Sequence, residues 1–136
     1  MKRKAFALVV HDRPEPCESL KPALRDLGVD TFSVSSCEEA ALLLEQTHPQ
    51  LIFTDTQLPD GTWTDLVNAV EDTAIPTCVV LVASSKERGK FRAATRYRAL
   101  SFVFPPFENE AVSQLVTRAV ARVRARRERF AHAAAA

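Results

Sequence analysis

The chain has 136 residues, with 18 Lys and Arg against 17 Asp and Glu, a formal net charge of +1, and 46% hydrophobic and 26% charged residues. That length supports one ordinary core and not two, and the near-neutral, mixed composition fits a globular domain, not a disordered tail or a polycationic nucleic-acid binder. The apolar run after the basic start is only Ala5 to Val10, too short for a signal-peptide core or a membrane span.

That run is almost continuously apolar and reads as a strand covered on both faces, followed by His11, Asp12 and Arg13. Cys17, Leu20, Leu24 and Leu27 then fall at three- and four-residue intervals and predict a helix that stops at Gly28, with Pro22 awkwardly inside it. Thr31 to Val34 is a second strand. Ser36, with Glu39 three residues on, is a capping box opening a second helix through Ala40, Ala41, Leu43 and Leu44, which His48-Pro49 ends.

Leu51 to Phe53 is a third strand leading to Asp55, and Trp63, Leu66, Val67 and Val70 mark a third helix. Cys78 to Ala83 is a fourth strand, followed by Ser84, Ser85 and Lys86. The stretch from Lys86 to Leu100, with Gly89 and few large apolar residues, predicts a poorly anchored fourth helix. Phe102 to Phe104 is a fifth strand ending at Pro105-Pro106. A long last helix over 108–130 repeats Val112, Leu115, Val116, Ala119, Val120 and Val123. Cys17, Cys37 and Cys78 have neither pairing nor zinc-ligand spacing, so they read as reduced thiols filling core space in a cytoplasmic protein.

Strand and helix alternate five times, which predicts a doubly wound α/β fold: a five-stranded parallel sheet in a three-layer sandwich with right-handed crossovers. Residues 1–124 form the domain, and 125–136 read as a helical extension, linker or tail. In such folds chemistry collects at the carboxyl ends of the strands, where Asp12 and Asp55 should converge. A carboxylate pair beside a loop carbonyl offers the oxygen ligands Mg²⁺ takes, although two aspartates can equally be the polar residues that end strands.

The loop Asp55-Thr56-Gln57-Leu58-Pro59-Asp60-Gly61 narrows the choice. It is similar to the loop around the phosphoacceptor aspartate of bacterial response-regulator receiver domains. Leu8 to Asp12, Ser36 to Leu44, Ile75-Pro76 and Pro106-Phe107 extend the resemblance over nearly the whole chain. It implies a flavodoxin-like receiver fold in two-component signalling, with Asp55 as phosphoacceptor for a histidine kinase. It also implies Asp12, Asp55 and the Gln57 backbone carbonyl as Mg²⁺ ligands, and Phe102 as the switch aromatic.

The pattern is broken in three places. The family's acidic pair is His11-Asp12, its hydroxyl at the end of the fourth strand aligns with Val82, and its lysine after the fifth strand is Pro105. Mg²⁺ should therefore bind weakly or not at all. Ser84, two residues beyond Val82 on the same side by alternation, could supply the missing hydroxyl. Arg13, Lys86 and Arg88 are candidate substitute cations, with a solvated surface charge as the ordinary reading of each.

The reading that follows is a non-enzymatic, degenerate receiver acting through protein–protein contacts with a histidine kinase or another signalling protein. A homodimer through the fourth helix, fifth strand and fifth helix is compatible with it. The alternative is a conventional Mg²⁺-dependent phosphorylatable receiver. A small α/β enzyme or flavin- or nucleotide-binding protein is disfavoured, because His11 to Pro16 offers no phosphate cradle. The arginines from Arg118 to Arg129 suit a helix C-terminus without invoking nucleic acid. Trp63, just after the Asp55 loop, should report on the site by its fluorescence.

Overall fold

The computed structural model describes residues 5–84, 86–87 and 100–135. In chain order it contains β1 (Phe6–Val10), α1 (Cys17–Asp26), β2 (Asp30–Val34), α2 (Cys37–Thr47), β3 (Leu51–Thr54), β4 (Gln57–Leu58), β5 (Gly61–Thr62), α3 (Trp63–Asp72), β6 (Cys78–Val82), β7 (Leu100–Val103) and α4 (Asn109–Ala135). One five-stranded sheet has the order β2-β1-β3-β6-β7, every neighbour parallel. The five expected strands are β1, β2, β3, β6 and β7, and the expected α/β architecture is present.

Alternation along the central strands divides the core in two. Ala7, Val9, Leu51, Phe53, Cys78, Val80 and Val82 face α1 and α4, meeting Leu20, Leu24, Val112, Val116 and Val123. Leu8, Val10, Ile52 and Val79 face α2 and α3, meeting Ala40, Leu44, Leu66, Val67 and Val70. Both faces of β1, β3 and β6 are thus covered, which is why these strands read as unbroken apolar runs. β2, at the sheet edge, exposes Asp30 to Ser33 and buries only Val34.

The last strand begins earlier than the sequence reading places it, whereas α1 ends as expected. The last strand is Leu100–Val103, paired from Val79↔Leu100 to Val82↔Val103, so Phe104 lies beyond it. Ser101 interrupts the apolar run and hid the start of the strand; ladder hydrogen bonds come from the backbone and are indifferent to that side chain. α1 continues through Pro22, and Gly28, at φ 75, follows the helix end in the left-handed region glycine tolerates. Beyond Lys86 and Glu87, which lie in a tight turn closed by Glu87 N donating to Ser84 O at 3.0 Å, the expected fourth helix falls outside the described residues.

The β4–β5 hairpin was not anticipated, and it organises two helix starts. Asp60, at its tip, accepts from Cys37 N at 2.8 Å and Glu38 N at 3.0 Å, while Ser36 Oγ accepts from Glu39 N at 3.2 Å. These backbone donors hold the Asp60 carboxyl below its ordinary range. Thr62 and Asp65 form a capping box on α3, Thr62 N donating to Asp65 Oδ2 at 2.9 Å. A Cβ on Gly61 would press into the Asp65 carboxylate and meet Cys37 Sγ at 3.2 Å. Gly61→Ala is therefore expected to break the capping box and lower stability by about 1 kcal/mol, read as a lower urea midpoint at unchanged m-value.

Candidate functional site

β1 and β3 are neighbours, and their carboxyl ends are tied together by Asp55 N, which donates to Val10 O at 2.9 Å, while His11 N ties the end of β1 to β2 by donating to Val34 O at 3.0 Å. Asp55 and the β1–α1 loop carrying His11, Asp12 and Arg13 consequently share one end of the sheet, as the topology of a doubly wound fold requires. The Asp55 side chain is 0% exposed. A buried carboxylate must be paired, and the pairing defines the site.

Arg13 provides it. Its Nε donates to Asp55 Oδ2 at 2.9 Å and its Nη2 to Oδ1 at 2.7 Å, a two-point contact in which the planar guanidinium meets both oxygens. The hydrogen bond to Asp55, and then its charge, raise the Arg13 pKa further, against a lowering by burial. Arg13 itself remains 49% exposed, so the ion pair has one face in solvent and one in the protein. The backbone that carries Arg13 is braced by His11, whose Nδ1 donates to Arg13 O at 2.7 Å while its Nε2 lies 3.6 Å from Glu18 on α1.

Thr56 extends the network across the sheet end. Its N donates to Asp55 Oδ1 at 2.7 Å, and its Oγ1 donates to Glu87 Oε2 at 2.9 Å. The other Glu87 oxygen accepts from Ser84 N at 3.1 Å and Ser84 Oγ at 3.0 Å. Burial works to raise the Glu87 pKa, but the donors from Ser84 and Thr56, and the charge of Arg13, outweigh it and leave the carboxyl below its ordinary value. An unbroken chain of polar contacts thus runs Arg13, Asp55, Thr56, Glu87, Ser84, from the β1–α1 loop to the turn after β6.

Of the residues singled out in the sequence, Asp12 lies on the same loop as Arg13 with its side chain exposed, and Gln57 is exposed in β4. Val82 is 0% exposed in the α1/α4 half of the core. Ser84 bonds to Glu87, reaching Asp55 only through Thr56. Pro105 is half-buried and joined to Pro106 by a cis peptide bond. Phe102 is half-buried and stacked on Phe104 with ring centroids 6.4 Å apart. Cys17, buried at the start of α1, has its thiol pushed up to about 12 by burial and, next, by the charge of Asp55, so it carries no nucleophilic thiolate at neutral pH.

One expectation is corrected. Arg13 is not an ordinary solvated surface charge, because it saturates the buried carboxylate. Lys86 is exposed, as its ordinary reading supposes, and Arg88 falls outside the described residues. Thr56 and Glu87 carry no recognisable motif and were missed. The donor set in this geometry does not fit Mg²⁺: both Asp55 oxygens are occupied by a cation, and no group of three His, Cys, Asp or Glu is placed to hold a metal among the described residues. Nor is any described helix long and apolar enough to cross a membrane.

The family model for the response regulator receiver domain matches residues 7–117. The response regulator protein PilR of Pseudomonas aeruginosa is 30% identical over 114 residues, covering 84% of this chain and 26% of PilR, so the chain spans about a quarter of that relative. Among solved structures, the signal receiver domain of a putative Luxo repressor protein from Vibrio parahaemolyticus superposes with a TM-score of 0.77 at 22% identity, covering 91% of this chain and 95% of that one. An uncharacterized protein from Neptuniibacter caesariensis gives a TM-score of 0.80 at 21% identity, covering 93% and 96%. With the sheet order, the position of Asp55 at the end of β3 and the matched span all in agreement, the chain belongs to the response-regulator receiver family of two-component signalling.

Proposed function

We propose that this receiver works as a degenerate, protein-interacting signalling module of the cytoplasm, in which Asp55 occupies the phosphoacceptor position but is held in an ion pair by Arg13. The two-point contact of Arg13 with both Asp55 oxygens carries the reading. A carboxylate attacks phosphorus through an oxygen lone pair, and here both oxygens are engaged and shielded, so the nucleophile is quenched before any donor arrives. Val82 and Pro105 add to this, since neither a valine nor a proline side chain can donate a hydrogen bond or a positive charge to a phosphoryl group. Partners are signalling proteins, a histidine kinase among them, that recognise the domain surface. Mg²⁺ plays little or no part.

The conventional reading, phosphoryl transfer from a histidine kinase to Asp55, keeps one observation in its favour. A guanidinium that fits a carboxylate in two-point fashion fits a phosphoryl group equally well, so Arg13 could follow the charge after transfer. Incubation of the full chain with acetyl phosphate and Mg²⁺, followed by intact-mass analysis, separates the two. Little or no adduct, with Trp63 fluorescence unmoved by millimolar Mg²⁺, is the expected result. Rapid stoichiometric labelling that Asp55→Asn abolishes would overturn the degenerate reading.

A further inference from the structure

The buried face of α4 is built from Val112, Val116, Ala119, Val120 and Val123, and steps of three and four residues continue that face to Arg127 and Phe130. Arg127 marks where the domain's own surface ends. Its Nε donates to Pro76 O at 2.9 Å and its Nη2 to His48 O at 3.0 Å and Pro49 O at 2.8 Å, gripping the loops that enter β3 and β6. Phe130 lies one step further, about 4.5 Å along the axis, and is 43% exposed, with the exposed Arg129 beside it. An aromatic side chain on the core-facing stripe of a helix has run out of core to face.

On the opposite side of the sheet, the carboxyl-terminal ends of α2 and α3 leave a cleft of 450 Å³, with Leu44, Ala69 and Ile75 among its apolar lining and Glu45 and Asp72 at its rim. His48, whose carbonyl Arg127 holds, also lines this cleft, so cleft and tail lie at the same end of the molecule. Phe130 does not line it. The chain carries an apolar, acid-rimmed receptor and an aromatic, arginine-flanked probe, and its own helix is pinned short of joining them.

We infer that the occupant is a second copy of this chain: in a two-fold symmetric dimer, each Phe130 enters the partner's α2–α3 cleft while Arg129 faces Glu45 and Asp72. Two-fold symmetry fills both clefts at once and leaves no open end for a filament. Phe130 is already more than half covered, so each copy has only about two-fifths of an aromatic's roughly 150–250 Å² left to bury, and with the flanking helix surface the contact stays at or below the lower limit of about 1,000 Å² for a specific interface. The dimer is accordingly weak, with a dissociation constant in the micromolar range, and weakens with salt. None of its residues touches Asp55, so it stands or falls independently of the reading of the phosphoacceptor site.

Sedimentation velocity of the full chain from about 1 to 300 μM spans that range. A reversible dimer is expected. Phe130→Asp should weaken it at least tenfold with an unchanged melting temperature, because the side chain is exposed in the monomer. Glu45→Lys/Asp72→Lys, and separately Arg129→Glu, should each weaken it severalfold, and combining all three changes in one chain should restore most of the affinity by reversing both partners' charge. A monomer at every concentration overturns the inference. So does a dimer indifferent to Phe130→Asp, or one sensitive to Phe130→Asp but not to the cleft variants, since the tail would then be docking elsewhere.

Discussion

Arg13→Ala is expected to accelerate labelling of Asp55 by acetyl phosphate by ten- to a hundredfold. The labelling reaction needs a free carboxylate oxygen, so in the wild-type chain it waits on opening of the ion pair. Hydrogen bonds to charged groups are each worth about 1.5–3 kcal/mol when well enclosed. The Arg13 guanidinium is half in solvent, so screening reduces the two contacts together to about that range instead of twice it. With every 1.4 kcal/mol a factor of ten, the closed fraction alone accounts for the predicted acceleration.

A second readout makes the cause identifiable. Once vacated, the Asp55 oxygens are available to a divalent cation beside Asp12, so millimolar Mg²⁺ should raise the melting temperature of Arg13→Ala and leave that of the wild type unchanged. Arg13→Lys should fall between the two, because an ammonium keeps the charge but cannot meet both oxygens in a fixed plane. The opposite outcome, an alanine variant labelled more slowly than the wild type, would show that Arg13 serves the phosphoryl group and would favour the conventional receiver.

Much of this domain could be read without coordinates because its information is local. Unbroken apolar strands, the Ser36–Glu39 cap and the Gly28 stop each follow from a few neighbouring side chains, and their order in the chain determines the class of sheet. The positions of Asp12 and Asp55 at one sheet end follow from that order too. What stayed hidden depends on reach across the fold. Arg13 is 42 positions from Asp55, and Thr56 is 31 from Glu87; nothing in the spacing distinguishes an arginine that folds back over a strand end from one that points into water. The same limit explains Asp60, whose carboxylate caps a helix 23 positions earlier. The departures from the family pattern at Val82 and Pro105 drew attention to Arg13, Lys86 and Arg88 as candidate cations, but not to which of them reaches Asp55.

Arg127 poses the same problem at the other end of the molecule, and its removal is expected to cost about 2–3 kcal/mol. The helix that contains it runs without a break from Asn109 to Ala135, so no change of secondary structure marks residue 124 as a boundary. Its guanidinium donates to three backbone carbonyls, and its partial burial lowers its pKa without approaching deprotonation at any pH the fold survives. Pro49 and Pro76 lie just before β3 and β6, whose pairing fixes the chain, so these acceptors cannot swing out to find other donors. Arg127→Ala therefore leaves charge-assisted bonds unmade and strips packing from the methylene stem as well. For a domain of this size the melting temperature should fall by roughly 4–12 °C. Arg127→Lys should recover less than half, because one ammonium cannot span carbonyls on two separate loops. If Arg127→Ala melts with the wild type, the three contacts contribute nothing net, and the last turns of α4 are held by the Val120 and Val123 packing alone.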